Sequence, residues 1–73
     1  MMQSHAPPLF GAIEAGGTKF VCGIGSGLSQ ELLARTEFPT GADAVGQMLQ
    51  VAGWLLDQQA KHGRLDALGI AAF

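Results

Sequence analysis

The chain has 73 residues, of which 48% are hydrophobic and 14% are charged. This length allows one domain or part of one, and the apolar content excludes a wholly disordered or collagen-like chain. The formal net charge of -2 provides no basic surface for a nucleic-acid backbone, so nucleic acid is not an expected partner. A chain this short buries only about 60% of its unfolded surface, which makes independent folding marginal.

The single cysteine and the composition of residues 1–8 indicate a cytoplasmic protein. Cys22 is the single cysteine, so it cannot form an internal disulfide, and we expect it to be a small core residue in a reducing compartment. Residues 1–8 lack the basic and apolar segments of a signal peptide, and no run of about 18 apolar residues occurs. A membrane partner is therefore not expected.

The first part of the chain predicts a disordered leader followed by three strands. The Pro-Pro pair that closes residues 1–8 opposes helix formation, and little in that segment can be buried. Apolar runs predict strands over residues 9–15, 19–25 and 31–38, separated by turns rich in glycine and serine. Short connections between consecutive strands favour an antiparallel meander.

The clearest periodicity predicts an amphipathic helix that ends near residue 62. Thr40 is the expected N-cap, with Asp43 as the second half of an imperfect capping box, and Gly63 suits the C-terminal cap. The apolar side of the predicted helix carries Val45, Met48, Leu49, Ala52, Leu55, Leu56 and Ala60. The polar side carries Asp43, Gln47, Gln50, Asp57, Gln58 and Lys61, together with Trp54.

Residues 67–73 form a continuous apolar run, which predicts a parallel strand covered on both faces. The strand–helix–strand connection before it favours a parallel arrangement. No polar residue follows Asp66, so we expect residues 9–73 to be the N-terminal part of a larger domain, a β-β-β-α-β unit cut within its fourth strand.

The segment that joins the first two strands contains the candidate binding residues. Adjacent Gly16 and Gly17 let backbone N–H groups approach a phosphate, Thr18 can donate its hydroxyl, and Lys19 supplies positive charge. Glu14 could hold a hydrated Mg²⁺ ion together with nucleotide phosphates. A plain hairpin connection explains the same residues, and spacing alone leaves both interpretations open.

Residue order excludes two common nucleotide motifs. In a P-loop the lysine precedes the Ser or Thr and a helix follows, whereas here Thr18 precedes Lys19 and a strand follows. The glycines at 23, 25 and 27 lack the spacing of a dinucleotide fingerprint. Neither His5 nor His62 belongs to a group of convergent ligands, so no catalytic or metal-binding role is expected for them.

The run Gly11–Cys22, with the sequence GAIEAGGTKFVC, resembles the opening of the ROK (repressor, open reading frame, kinase) sugar kinases, and most closely the bacterial fructokinase branch. Residues 37–40, the amphipathic helix and residues 68–73 extend the likeness over nearly the whole ordered chain. Most members of the wider actin-like ATPase and hexokinase superfamily carry Asp where this chain has Glu14. Glu is usual in the fructokinase-like branch.

The resemblance implies an α/β fold of the ribonuclease-H-like, actin and hexokinase type, of which this chain holds the first portion. It implies that Gly16, Gly17, Thr18 and Lys19 form the first phosphate-binding turn for ATP, with the Mg²⁺ role of Glu14 left open. The full-length enzyme would be a homodimer that transfers a phosphoryl group from ATP to a hexose, fructose being favoured. In family members the catalytic aspartate and the zinc ligands lie beyond this segment, so the 73 residues alone are expected to be inactive.

The sequence also allows two other classes of protein. A sugar-responsive regulator of the ROK type would need a DNA-binding module before the first strand, where only residues 1–8 stand. A free-standing interaction domain could use its apolar last strand to extend the sheet of a partner.

Overall fold

The computed structural model describes residues 7–27 and 31–72, which form four strands and one helix. Most of the predicted leader, residues 28–30 of the predicted turn, and Phe73 lie outside the described residues. The elements are β1 (Leu9–Ala15), β2 (Lys19–Ser26), β3 (Leu32–Pro39), α1 (Ala44–His62) and β4 (Ala67–Ala72). The predicted order of elements is confirmed, and the strand bounds agree within one residue.

The four strands form one mixed sheet in the order β3-β2-β1-β4. β1 pairs with β2 and β2 pairs with β3 in antiparallel register, which confirms the predicted meander. β4 lies parallel to β1, with Ile13 opposite Cys22 on one side and opposite Ile70 on the other. The chain is therefore a small α/β domain with one four-stranded mixed sheet and one helix.

The core lies between α1 and one face of the sheet. Ile13 of β1, Cys22 of β2 and Val51 of α1 are almost fully buried and pack together. Alternation along the strands places Leu9 and Ile24 on the same face, where they are also buried. Cys22 is thus the small core residue that the sequence predicts, and burial raises the pKa of its thiol.

The start of α1 differs from the prediction. Asp43, not Thr40, is the N-cap, because its Oδ1 accepts a hydrogen bond from the backbone N–H of Val45 at 3.1 Å. The predicted end is confirmed, since Gly63 follows the helix with a positive φ of 111° and donates its N–H to the carbonyl oxygen of Gln59.

The side of α1 that meets the sheet also differs from the predicted apolar side. Val51 is fully buried, and Trp54 and Leu55 are half-buried against the core. Gln47 and Gln58 are buried as well, and Gln47 accepts a hydrogen bond from the backbone N–H of Gly41 at 2.6 Å. This bond satisfies part of a polar side chain that periodicity alone assigns to solvent. Most of the predicted apolar side remains exposed.

The prediction that the fourth strand is covered on both faces concerns a larger domain, and the 73 residues do not test it. All six residues of β4 are exposed. The reason is that the core formed by α1 lies over β1 and β2, while β4 is an outer strand of the sheet. No helix in the described part of the chain is long and apolar enough to cross a membrane.

A matched pair of substitutions on α1 tests which side of the helix is buried. We expect Val51→Ala to lower the free energy of unfolding by about 1–3 kcal/mol, because it leaves a cavity against Ile13 and Cys22. The same change at Val45, which is exposed, should alter it by no more than about 0.5 kcal/mol in dilute solution. Urea unfolding followed by circular dichroism measures both. Equal losses at the two positions would contradict the observed orientation.

Candidate functional site

The turn between β1 and β2 is closed by a short backbone hydrogen bond. The N–H of Gly16 donates to the carbonyl oxygen of Lys19 at 3.0 Å. A Cβ atom added at Gly16 would lie 3.2 Å from that same oxygen, so the close approach of the chain favours glycine there. Neither Gly16 nor Gly17 has a positive φ, and a Cβ added at Gly17 would meet nothing within 4 Å. The backbone at Gly17 is therefore open to an approaching ligand.

Thr40 fastens this turn from the end of β3. Its hydroxyl donates to the carbonyl oxygen of Gly16 at 3.0 Å, and its backbone N–H donates to the carbonyl oxygen of Thr18 at 2.9 Å. The two bonds reach both ends of the turn, so they restrict its conformation. The residue predicted to cap α1 instead holds the candidate site in place.

The turn presents hydrogen-bond donors that have no partner within the described part of the chain. These donors are the backbone N–H groups of Gly17 and Thr18 and the hydroxyl of Thr18, and both residues are exposed. Exposed backbone N–H groups next to a hydroxyl are hydrogen-bond donors to which an anion can bind. The arrangement can therefore bind a phosphate without breaking an existing hydrogen bond.

Lys19 forms an ion-pair network with Glu37 and Arg35 on the sheet face opposite α1. Its Nζ lies 3.3 Å from Oε1 of Glu37, whose other carboxylate oxygen accepts a hydrogen bond from Arg35. The hydrogen bond from Arg35, followed by the hydrogen bond and charge of Lys19, lowers the pKa of Glu37. The ammonium group of Lys19, which the sequence predicts to contact a phosphate, is thus paired with Glu37 in this structure.

Glu14 also lies on the sheet face opposite α1, one residue pair away from the last β1–β2 pair before the turn. It is opposite Val21 in the register of β1 and β2, and its side chain is exposed. It borders a shallow hollow of about 280 Å³, which Val21, Leu32 and Arg35 also line. No group of three His, Cys, Asp or Glu residues converges within residues 7–27 and 31–72. Glu14 alone could hold only a metal ion that a nucleotide also ligates.

The sequence-predicted site residues are brought together in part. Gly16, Gly17, Thr18 and Lys19 form one turn, with Glu14 directed to one face of the sheet beside it. Sequence reasoning missed Thr40 as a residue of the site, and the proline that ends β3 immediately before it is the available signal. His62 is exposed at the end of α1, and His5 lies outside the described residues.

No protein-family model matches the chain, and a search of curated proteins finds no match to it.

The two hydrogen bonds from Thr40 to the turn, which we call the clamp, predict a loss of stability when the hydroxyl of Thr40 is removed. We expect Thr40→Val to lower the free energy of unfolding by about 0.5–1.5 kcal/mol, because the carbonyl oxygen of Gly16 loses its donor. Thr40→Ser keeps the hydroxyl and should retain most of the stability. Urea unfolding compares the three proteins, and equal stability of Thr40→Val and wild type would contradict the clamp.

The ion pairs of Glu37 with Lys19 and Arg35 predict that the free energy of unfolding depends on pH. Because the pKa of Glu37 in the folded protein is lower than in the unfolded chain, its ion pairs contribute stability above the ordinary glutamate pKa of about 4.3. This contribution disappears as the pH falls through the lowered value. We expect Glu37→Gln to reduce the difference in unfolding free energy between pH 7 and pH 3, as measured by urea titration. The effect should be small because the group is exposed, and an unchanged difference would contradict the role of the network.

Proposed function

We propose that this chain supplies the first phosphate-binding turn of an ATP-dependent sugar kinase of the ROK type, with fructose as the favoured acceptor. The observation that carries the proposal is the turn Gly16–Lys19, whose exposed donors are unpartnered and whose backbone is held by Thr40. A turn fixed in advance binds a phosphate with a smaller loss of conformational entropy than a mobile one.

The topology is compatible with the first part of a ribonuclease-H-like ATPase lobe. An antiparallel meander leads through one helix to a strand parallel to β1. The turn joins the first two strands of this meander, which is where the family resemblance requires it. The fold and the sequence run of residues 11–22 thus support the same proposal from two directions.

In this proposal the residues of the turn bind and orient ATP. The N–H groups of Gly17 and Thr18 donate to phosphate oxygens, and the hydroxyl of Thr18 adds a third donor. Lys19 would offset the phosphate charge while it remains near Glu37, and Glu14 would hold a water ligand of Mg²⁺. Phosphoryl transfer depends mainly on such positioning and charge stabilisation. No aspartate among these residues serves as the base that activates the sugar hydroxyl.

Nucleotide titration of the 73-residue protein tests the turn directly. We expect ATP with Mg²⁺ to shift the amide NMR signals of Gly17 and Thr18, since these N–H groups are unpartnered in the free protein. Thr18→Ala should weaken ATP binding roughly 3- to 10-fold, the equivalent of one hydrogen bond. Lys19→Ala should also weaken it, whereas Lys61→Ala removes the same charge from the exposed end of α1 and should not.

Two outcomes would contradict the proposal. One is an absence of ATP-dependent shifts in the turn, and the other is an equal loss of affinity with Lys19→Ala and Lys61→Ala, which would indicate nonspecific attraction. When the 73-residue protein is incubated with a panel of hexoses, ATP and Mg²⁺, it should bind ATP but form no phosphorylated sugar. Turnover by this chain would place a catalytic base within it and overturn that part of the proposal.

A further inference from the structure

The connection between β3 and α1 carries the residue that clamps the candidate turn. Residues 40–43 are exposed and belong to neither element. Thr40, the first of them, forms the clamp. The clamp can restrict the turn only if Thr40 is itself held, because an exposed irregular segment has few contacts that oppose its movement. The residue that holds this connection is therefore a candidate part of the site.

Gln47 of α1 holds the connection through its side-chain amide. Its Oε1 accepts a hydrogen bond from the backbone N–H of Gly41 at 2.6 Å, and Gly41 directly follows Thr40. Side chains on a helix point back towards its N-terminus, so Gln47 in the first turn of α1 reaches a residue six positions earlier. The bond links the connection to the helix one residue away from the clamp.

The amide of Gln47 is both oriented and shielded from water. Only 7% of the residue is exposed, although glutamine is usually found at the surface. Its Nε2 donates a hydrogen bond to Oε1 of Gln50 at 3.1 Å. Turning the amide over would set donor against donor at Gly41 and oxygen against oxygen at Gln50, so the two bonds fix one orientation. A hydrogen bond shielded from water is electrostatically stronger than an exposed one.

A chain of hydrogen bonds thus leads from α1 to the turn. Gln50 orients Gln47, and Gln47 holds Gly41. The neighbouring Thr40 binds the carbonyl oxygens of the turn. Val51 lies one helical turn after Gln47 and is fully buried against the sheet, so the chain of bonds starts from a part of α1 that the core fixes.

We propose that Gln47 is a positioning residue of the candidate phosphate site, which holds Thr40 through Gly41 and thereby fixes the turn that binds ATP. This inference rests on the proposed function. Gln47 makes no contact with the nucleotide in it, since both ends of its amide are engaged within the chain. Without Gln47 the donors of the turn remain present but less ordered, so ATP must order them on binding and its affinity falls.

Gln58 provides a matched control on the same helix. It is 6% exposed, so it is buried as deeply as Gln47. It lies on the same side of α1, about three helical turns or 16 Å further along the axis and away from the connection. Gln58→Met therefore removes a buried amide from the same side of the helix without removing a bond to residues 40–43.

Amide hydrogen exchange and NMR spectra of the free protein test the chain of bonds. Gln47→Met keeps the length of the side chain and removes the acceptor, so the amide of Gly41 should exchange roughly 3- to 10-fold faster. The amide signals of Gly17 and Thr18 should shift as the turn loosens, whereas Gln58→Met should change neither measurement. Circular dichroism checks that both variants are folded. Unchanged turn signals in a folded Gln47→Met protein would overturn the inference.

ATP titration connects the same variants to the proposed site. Gln47→Met should weaken the binding of ATP with Mg²⁺ roughly 2- to 5-fold, and Gln58→Met should not weaken it. The loss should be smaller in a Thr40→Val background, because Gln47 acts through the clamp. Wild-type affinity in Gln47→Met, or an equal loss in both backgrounds, would overturn the inference and leave the proposed function intact. A wild-type protein that does not bind ATP would overturn the proposed function instead, and the exchange and shift data would still decide whether Gln47 holds the turn.

Discussion

Strand β1 is the constraint on which the rest of the structure depends. It is hydrogen-bonded on both edges, antiparallel to β2 and parallel to β4. Its apolar residues Leu9 and Ile13 lie on the face that α1 covers, and alternation along the strand leaves Glu14 on the opposite face. Asp66 reinforces the start of the strand, because its carboxylate accepts from the N–H of Leu9 and its own N–H donates to the carbonyl oxygen of Leu9.

Strand positions were predictable because each depends on a short local pattern. Apolar runs bounded by glycine or proline gave β1, β2 and β3, and Gly63 marked the end of α1. The N-cap was not predictable in the same way, since Thr40 and Asp43 are both good caps and only tertiary contacts decide between them. Thr40 is held by the carbonyl groups of the turn, and Asp43 is left to cap α1.

The buried side of α1 was mispredicted because periodicity reports where apolar residues lie, not what covers them. The apolar positions of α1 extend around more of the helix than a single sheet face can cover. The sheet takes the side with Val51 and accepts Gln47, whose amide finds a partner in the backbone of Gly41. The remaining apolar side chains of α1 are exposed in the described part of the chain.

The candidate site depends on a restraint from outside the turn. The proposed phosphate-binding role needs the N–H groups of Gly17 and Thr18 to remain unpartnered, so these donors cannot also hold the turn together. Thr40, which follows β3, supplies the restraint through hydrogen bonds to the carbonyl oxygens of Gly16 and Thr18. Because these bonds use only acceptors of the turn, they hold its backbone and leave its donors accessible.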